Sequence, residues 1–338
     1  MPTPCCLKPS QPLPLWQRRR LLGALAGPWL PALTACSPAP SNALRVGAHP
    51  WLGYELMYLA QAHRYVTADT VRLVEVPNAS ASLRALASGT LDGAGLTLDE
   101  VLSARARGLA LQVVAVIDVS RGADVLLGGP SVTSLAALRG RRIGVEQSAT
   151  GALMLDAALQ RAGLGLGDVT LVALGANEHA NAFRQRDVDA LVTFEPIRSQ
   201  LMQQGARALF SSADAPGLIV DVLAIRADVS DGQASAIRNL VAGLFRARSD
   251  WLRDAAAQAP LLAPRLQLPP ADLQKAYQLI DLPDEASNHQ WLSSSDSLLM
   301  RSARRLQDVM RRASLLDSAA DPLNSVPPLG DGRFLPHG

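Results

Sequence analysis

From residue 44 onward the chain alternates short apolar runs with amphipathic stretches of about ten residues, a rhythm that few folds can accommodate. "LRVGAH" (44–49) reads as a strand, and Leu56, Leu59, Ala60 and His63 mark the helix after it. "TVRLVEV" (70–76) alternates at period two, "ASLRALASG" is a short helix, and "LDGAGL" and "LQVVAVID" are strands around the helical "LDEVLSARARG". A second series begins at "ADVLLGG" (123–129). It continues through "RRIGVE" (141–146), the helix "TGALMLDAALQRAG" (150–163), "VTLVAL" (169–174), "EHANAFRQR" (178–186) and "VDALVTF" (188–194). "GLIVDVLAIR" (217–226) is a long strand-like run, and from Ser235 the pattern is almost wholly helical. Strands that alternate with helices of this length predict βαβ units on mainly parallel sheets, an α/β protein.

Length and charge narrow the field. A chain of 338 residues with 48% hydrophobic residues is long enough for two structural units, each with a core. Lys8, Arg18, Arg19 and Arg20 precede residue 36 and no acid does, which leaves 28 bases against 30 acids, a net of −2. A body with that balance is not a nucleic-acid binder by charge, and no nucleic-acid partner is expected.

The first 35 residues read as an export signal. Arg18 to Arg20 form a basic segment, and Leu21 to Ala35 is apolar but too short and too broken by Pro28 and Pro31 to span a bilayer. It ends in Leu33-Thr34-Ala35-Cys36, which resembles a bacterial lipobox; lipidation of Cys36 would anchor the protein to a membrane. An ordinary cleavable signal fits the same residues. Cys5 and Cys6 fall in the leader, so the processed body has no disulfide candidate. Residues 36–43 are expected to be a tether, and the Pro/Gly-rich residues 316–338 a loose C-terminal tail.

Five segments in order carry a family resemblance: "LRVGAHPWLGYELMYLA", "LASGTLDGAGLTLDEVL", "LRGRRIGVEQSATGALMLDAALQRAGL", "DALVTFEPIRSQL" and "IVDVLAIR". Together they resemble the solute-binding proteins of ABC importers for nitrate, sulfonates, taurine and thiamine precursors. The resemblance covers about residues 44 to 315. It implies a two-lobed periplasmic-binding-protein type II fold, with residues 44–121 and 221–315 in one lobe and 122–220 in the other. The lobes would be joined by a two-strand hinge, with chain crossings near Ser120 to Ala123 and Ala215 to Val220. It also implies a monomer on the periplasmic side of a bacterial membrane, with ABC permease and ATPase subunits as partners. Two other roles remain open: a ligand-sensing partner of a membrane signalling protein, and an enzyme of the thiamine-pyrimidine-synthase type. That enzyme is expected to carry a Cys-rich motif, which this sequence lacks.

In an open α/β sheet, ligands sit beyond the carboxyl ends of the strands. The first such loop is "HPWLGYE", which makes His49, Trp51 and Tyr54 candidate ligand contacts, although Trp51 and Tyr54 also fit as core aromatics. Thr97 starts a helix after "DGAGL", and Ser148, Thr150 and Gly151 start another after "IGVE". Helix N-termini there would suit an anionic head group, and plain N-capping explains the same residues. Asp118, Glu195 and Asp221 lie at strand ends and would meet an amine, or else pair with Arg121 and Arg198. A small zwitterion of the taurine kind, or a pyrimidine amine, satisfies both sets. Enzyme motifs are absent: no G-x-S-x-G, no P-loop and no G-x-G-x-x-G after the first strand. His49, His63, His179, His289 and His337 are scattered without metal spacing, so neither metal nor cofactor is expected. Arg301, Arg304, Arg305, Arg311 and Arg312 share one helix and read as a solvated face, with docking to a permease or anionic lipid as the lesser reading.

Overall fold

The computed structural model describes residues 43–146, 148–293, 296–324 and 327–336. The leader, Cys36 and the tether, through residue 42, lie outside the described residues. Strands β1 (Leu44–Ala48), β2 (Val71–Glu75), β3 (Gly93–Thr97) and β4 (Leu111–Ser120) alternate with helices α1 (Glu55–Ala62), α2 (Ala79–Ala87) and α3 (Leu98–Ala106). Next come β5 (Asp124–Gly128), β6 (Arg142–Glu146), α4 (Ala149–Arg161), β7 (Thr170–Leu174), α5 (His179–Gln185), β8 (Ala190–Phe194), α6 (Ile197–Gln203) and β9 (Arg207–Ser211). Strand β10 (Val220–Arg226) leads into α7 (Ala227–Ser230), α8 (Ala234–Arg253), α9 (Ala255–Leu266) and α10 (Pro270–Tyr277). The short β11 (Ile280–Asp281), α11 (Glu285–Leu292) and α12 (Leu298–Arg312) complete the series.

Two sheets result, and each defines a lobe. Lobe 1 holds a six-stranded sheet in the order β11-β4-β10-β3-β1-β2, and lobe 2 a five-stranded sheet in the order β7-β6-β8-β5-β9. The α/β class is as expected, and most strands of each sheet run in one direction: β1, β2, β3 and β4 in lobe 1, with β10 and β11 opposed, and β6, β7, β8 and β9 in lobe 2, with β5 opposed. β1 pairs in parallel with β2 and β3, whereas β10 runs antiparallel to both β3 and β4. In lobe 2, β6 is parallel to β7 and β8, and β5 is antiparallel to β8 and β9. The reason is the path of the chain. β4 leaves lobe 1, β5 enters lobe 2, and β10 returns into the gap between β3 and β4, so the crossing strands oppose their neighbours.

Burial explains the strand choices. Nine of the ten side chains of β4 are buried, and strands covered on both faces read as near-continuous apolar runs. Helix α8 lays Ile237, Leu240, Val241, Leu244 and Trp251 on one buried stripe, and α12 does the same with Leu299, Leu306 and Met310. Each fully buried leucine or valine contributes roughly 1.5–3 kcal/mol relative to exposure.

The two passages between lobes are pinned to each other. Ser120 and Ser212 hydroxyls lie 2.7 Å apart, the Gly122 amide donates to Ser212 Oγ at 2.6 Å, and the Ser120 amide donates to the Ile219 carbonyl at 3.1 Å. Gly122 sits at φ +126°, where a side chain would strain the backbone.

The C-terminal segment is not loose. Gly330 bridges Val113: the Val113 amide donates to the Leu329 carbonyl at 2.7 Å, and the Asp331 amide donates back to Val113 at 2.9 Å. Leu329, Phe334 and Leu335 are buried. Buried Arg105 donates to the carbonyls of Pro322, Pro327 and Leu111. The Pro/Gly composition that suggested a tail instead shapes a strap along the part of the β4 edge that β11 does not cover. On α12, Arg301 and Arg304 pair with Asp296, and Arg311 reaches the Ala320 carbonyl.

Candidate functional site

Register sets three polar residues side by side at one end of the lobe 1 sheet. On β10, Asp221 is opposite Thr97 of β3 on one side and Asp118 of β4 on the other. In lobe 2, Asp124 at the start of β5 is opposite Phe194 at the end of β8, and Val125 is opposite Thr193. The strand ends of the two lobes meet around a cavity of about 40 Å³ whose wall comes from both.

Seven of the ten sequence-predicted residues line this cavity: His49, Trp51, Thr97, Ser148, Thr150, Gly151 and Asp221. The other three do not reach its wall. Tyr54 is fully buried behind it and donates its hydroxyl to Asp221 Oδ1 at 2.5 Å. Asp118 accepts the Trp51 indole N–H at 2.9 Å and fixes the angle of that ring. A Cβ on Gly53 would lie 1.8 Å from Asp118 Oδ2, so only glycine lets the loop approach so closely. Glu195 points elsewhere. It accepts from the Arg198 guanidinium, the Ser199 amide and the Ser199 hydroxyl, which explains a buried carboxylate at that strand end without any ligand.

The sequence did not single out Glu100, Asp124, Glu146, His179, Thr193 and Phe194, all of which line the cavity. Phe194 of lobe 2 packs against His49 at 5.7 Å and Trp51 at 5.8 Å, both of lobe 1, and against His179 at 6.1 Å. The lobes are also joined by the Thr97 and Thr150 hydroxyls at 2.8 Å, and Thr150 donates to Asp99 at 2.9 Å.

Of the helix N-termini at the cavity, those of α3 and α2 are met by carboxyl groups and that of α4 by a serine hydroxyl. At α3 the Thr97 amide donates to Glu100 Oε2 at 3.0 Å, and Asp99 and Glu100 both lie in the first turn. At α2, Asn78 caps Ala81, and Glu146 reaches across from lobe 2 to the Ala79 and Ser80 amides. At α4, Ser148 accepts from the Gly151 amide at 3.3 Å. At α3, one of the two helix starts expected to hold an anion, acidic side chains already offset the partial positive charge.

Electrostatics follow from burial without counter-charge. Among the described residues no lysine or arginine lines the cavity. Desolvation raises Asp124 and Glu146 to about 7 and Asp118 to about 8. Burial, together with Asp118 and Asp124 nearby, holds Asp221 well above the usual carboxylate range, and burial beside Asp99 and Glu146 does so for Glu100. Burial pushes His49 and His179 down to about 4, so both rings are neutral. Among the described residues no group of His, Cys, Asp or Glu is arranged to hold a metal, and no helix is long and apolar enough to cross a membrane.

Two α/β lobes enclosing a cavity at their strand ends define the fold of the periplasmic binding proteins. The chain belongs to the NMT1-like family, which it matches over residues 37–263. Over 181 residues it is 30% identical to a protein of Escherichia coli K12 provisionally named an aliphatic sulfonates-binding protein, covering 51% of this chain and 56% of that one. A binding protein of Brucella abortus, also provisionally named, is 30% identical over 120 residues, 36% of this chain and 37% of its own. The chain thus spans between about a third and somewhat over half of these relatives' lengths. In fold it resembles the alkanesulfonate-binding protein SsuA of Xanthomonas axonopodis pv. citri bound to MOPS, with TM-score 0.68, 22% identity, and coverage of 82% and 95% of the two chains. The nitrate-binding protein NrtA of Synechocystis PCC 6803 gives TM-score 0.60 at 14% identity, with coverage of 85% and 92%.

Proposed function

We propose that this protein is an extracytoplasmic solute receptor that traps a small organic molecule between its lobes and delivers it to an ABC permease and its ATPase. The observation that carries this reading is the cavity itself, walled by strand ends of both lobes and reached by only two chain passages. Membership of a family whose relatives include a provisionally named sulfonates-binding protein supports it. Lobe 1 would comprise 44–121 and 221–315 and lobe 2 would comprise 122–220, turning about Gly122 and residues 215–219. The solute is of taurine or pyrimidine-amine size. Anchoring would come from lipid on Cys36 in the Leu33-Thr34-Ala35-Cys36 motif, placing a monomer on the periplasmic side of a bacterial membrane. Capture of solute should compact the protein and raise its melting temperature, because a ligand that binds only the folded, closed state stabilises it by mass action. Small-angle scattering with and without saturating solute tests this; an unchanged radius of gyration on binding would reject a hinged receptor.

A further inference from the structure

The receptor reading leaves the charge of the solute open, and the cavity wall restricts it. Three buried carboxyls belong to the wall: Asp221 hydrogen-bonds the Asp118 carboxyl behind it, and Asp124 Oδ2 and Glu146 Oε1 each lack a partner. Their residues are 2%, 4% and 7% exposed, so bulk water does not serve them. Two ring nitrogens, His49 Nδ1 and His179 Nε2, are unpartnered in the same wall. The donors that a bound anion would need are committed elsewhere: the Thr97 amide to Glu100, the Gly151 amide to Ser148, and the start of α2 to Glu146. Among the described residues the wall carries four carboxyls (Glu100, Asp124, Glu146 and Asp221) and no lysine or arginine, a balance that disfavours an anion. Its remaining surface is flat and apolar, with the Trp51 and Phe194 rings flanked by Met154, Val192 and Ile219.

We propose that the ligand is a small organic ammonium, its protonated nitrogen entering among Asp221, Asp124 and Glu146 and its apolar body lying against Trp51 and Phe194, and that its capture releases a proton from these carboxyls. This rests on the receptor reading and chooses within it. A cation among buried acids favours their ionised form, and an N⁺–H···O⁻ contact is the stronger class of hydrogen bond. Proton balance is simple: the ammonium enters carrying its protons, one carboxylic acid ionises, and one proton passes to the buffer.

The groups facing Asp221 support that balance. From β4 comes Asp118, from β5 Asp124, from α3 Glu100, and from the loop before α1 the Tyr54 hydroxyl. None is basic, so the arriving cation supplies the compensating charge. Glu146 differs because the amides of Ala79 and Ser80 already favour its ionised form. Asp221 and Asp124 are therefore the sources of the released proton.

The test is calorimetry at pH 7 with purified protein in buffers of different ionisation enthalpy. The probes are butylammonium, benzylammonium and an aminomethylpyrimidine in one arm, and ethanesulfonate and nitrate in the other. At least one ammonium should bind tenfold or more tighter than either anion, with net release of between half and one proton. Asp221→Asn and, separately, Asp124→Asn should weaken that binding at least tenfold and reduce the proton release, with the fold of each variant checked by circular dichroism. Asp124→Asn guards against a folding failure of the first variant, since Asp124 lies at the very start of β5, next to the passage between the lobes. A sulfonate or nitrate that binds more tightly than every ammonium overturns the proposal while leaving a receptor. Tight ammonium binding without compaction in scattering keeps the proposal and removes the receptor reading. No binding by any ammonium at millimolar concentration overturns it outright.

Discussion

Asp118 does not touch the cavity, yet it orients Trp51, whose ring forms part of the wall. It is buried against the Asp221 carboxyl, with which it hydrogen-bonds, and burial raises it to about 8 from an ordinary value of 3.8. Between those values the folded protein holds a proton that the unfolded chain has lost. Its contribution to stability is thus present in acid and disappears as pH rises toward 8. Asp124 and Glu146, raised to about 7, act in the same direction. His49 and His179, pushed down to about 4, oppose them below pH 6.5, where the unfolded chain protonates its histidines and the folded one does not. From pH 6.5 to 8 the buried acids act without that opposition. The ligand-free protein should lose stability across this window, by up to about 1.4 kcal/mol per pH unit for each acid still protonated. Asp118→Asn should flatten the slope. Urea denaturation at several pH values measures it, and stability rising from pH 6.5 to 8 would show that these carboxyls are ionised in the folded state.

At the scale of elements, the strap after α12 has the largest unexpected role. Phe334 is fully buried, and Leu329 and Asp331, either side of Gly330, complete hydrogen bonds with Val113 of β4. Phe334→Ala should cost about 3–5 kcal/mol, the usual range for emptying a buried aromatic site. A urea midpoint unchanged by that substitution would mean the strap does not hold the core. The strap was illegible because Pro and Gly mark turns equally well in free and in docked segments; only its few apolar residues hinted at a partner. The strands of the βαβ series were legible, since their apolar runs and intervening amphipathic helices carry distinct periods. β9 was not, because "RALFS" buries only Phe210 and shows no alternation, and β11 is two residues long. The candidate site divides in the same way. His49, Trp51, Thr97 and Ser148 follow strands and open helices, a position visible in one dimension. Asp124, Glu146 and Phe194 sit at the ends of apolar runs, and what they face depends on which lobe meets which.

The whole molecule is unevenly divided. Every strand of the lobe 2 sheet lies within residues 124–211, and its two apolar clusters are drawn from 125–219. Lobe 1, by contrast, has β10 at its centre, between β3 and β4, so its sheet closes only after the chain has built lobe 2 and come back. A fragment of residues 122–218 should therefore fold alone with cooperative thermal unfolding, whereas residues 43–218 should fold only in their second half. Amide exchange on the longer fragment measures this: protection throughout β1 to β4 would contradict the dependence on β10. The pinning of Ser120 to Ser212 and Ile219 has a consequence for inheritance. Because the two passages touch, a single stretch of gene encodes one complete half of the cavity wall, with both of its ends at one spot on the fold. Recombination can exchange that cassette whole, bringing new partners for Trp51 and Asp221 in one event. No single exchange can do the same for the opposite half, so its half of the wall must change residue by residue.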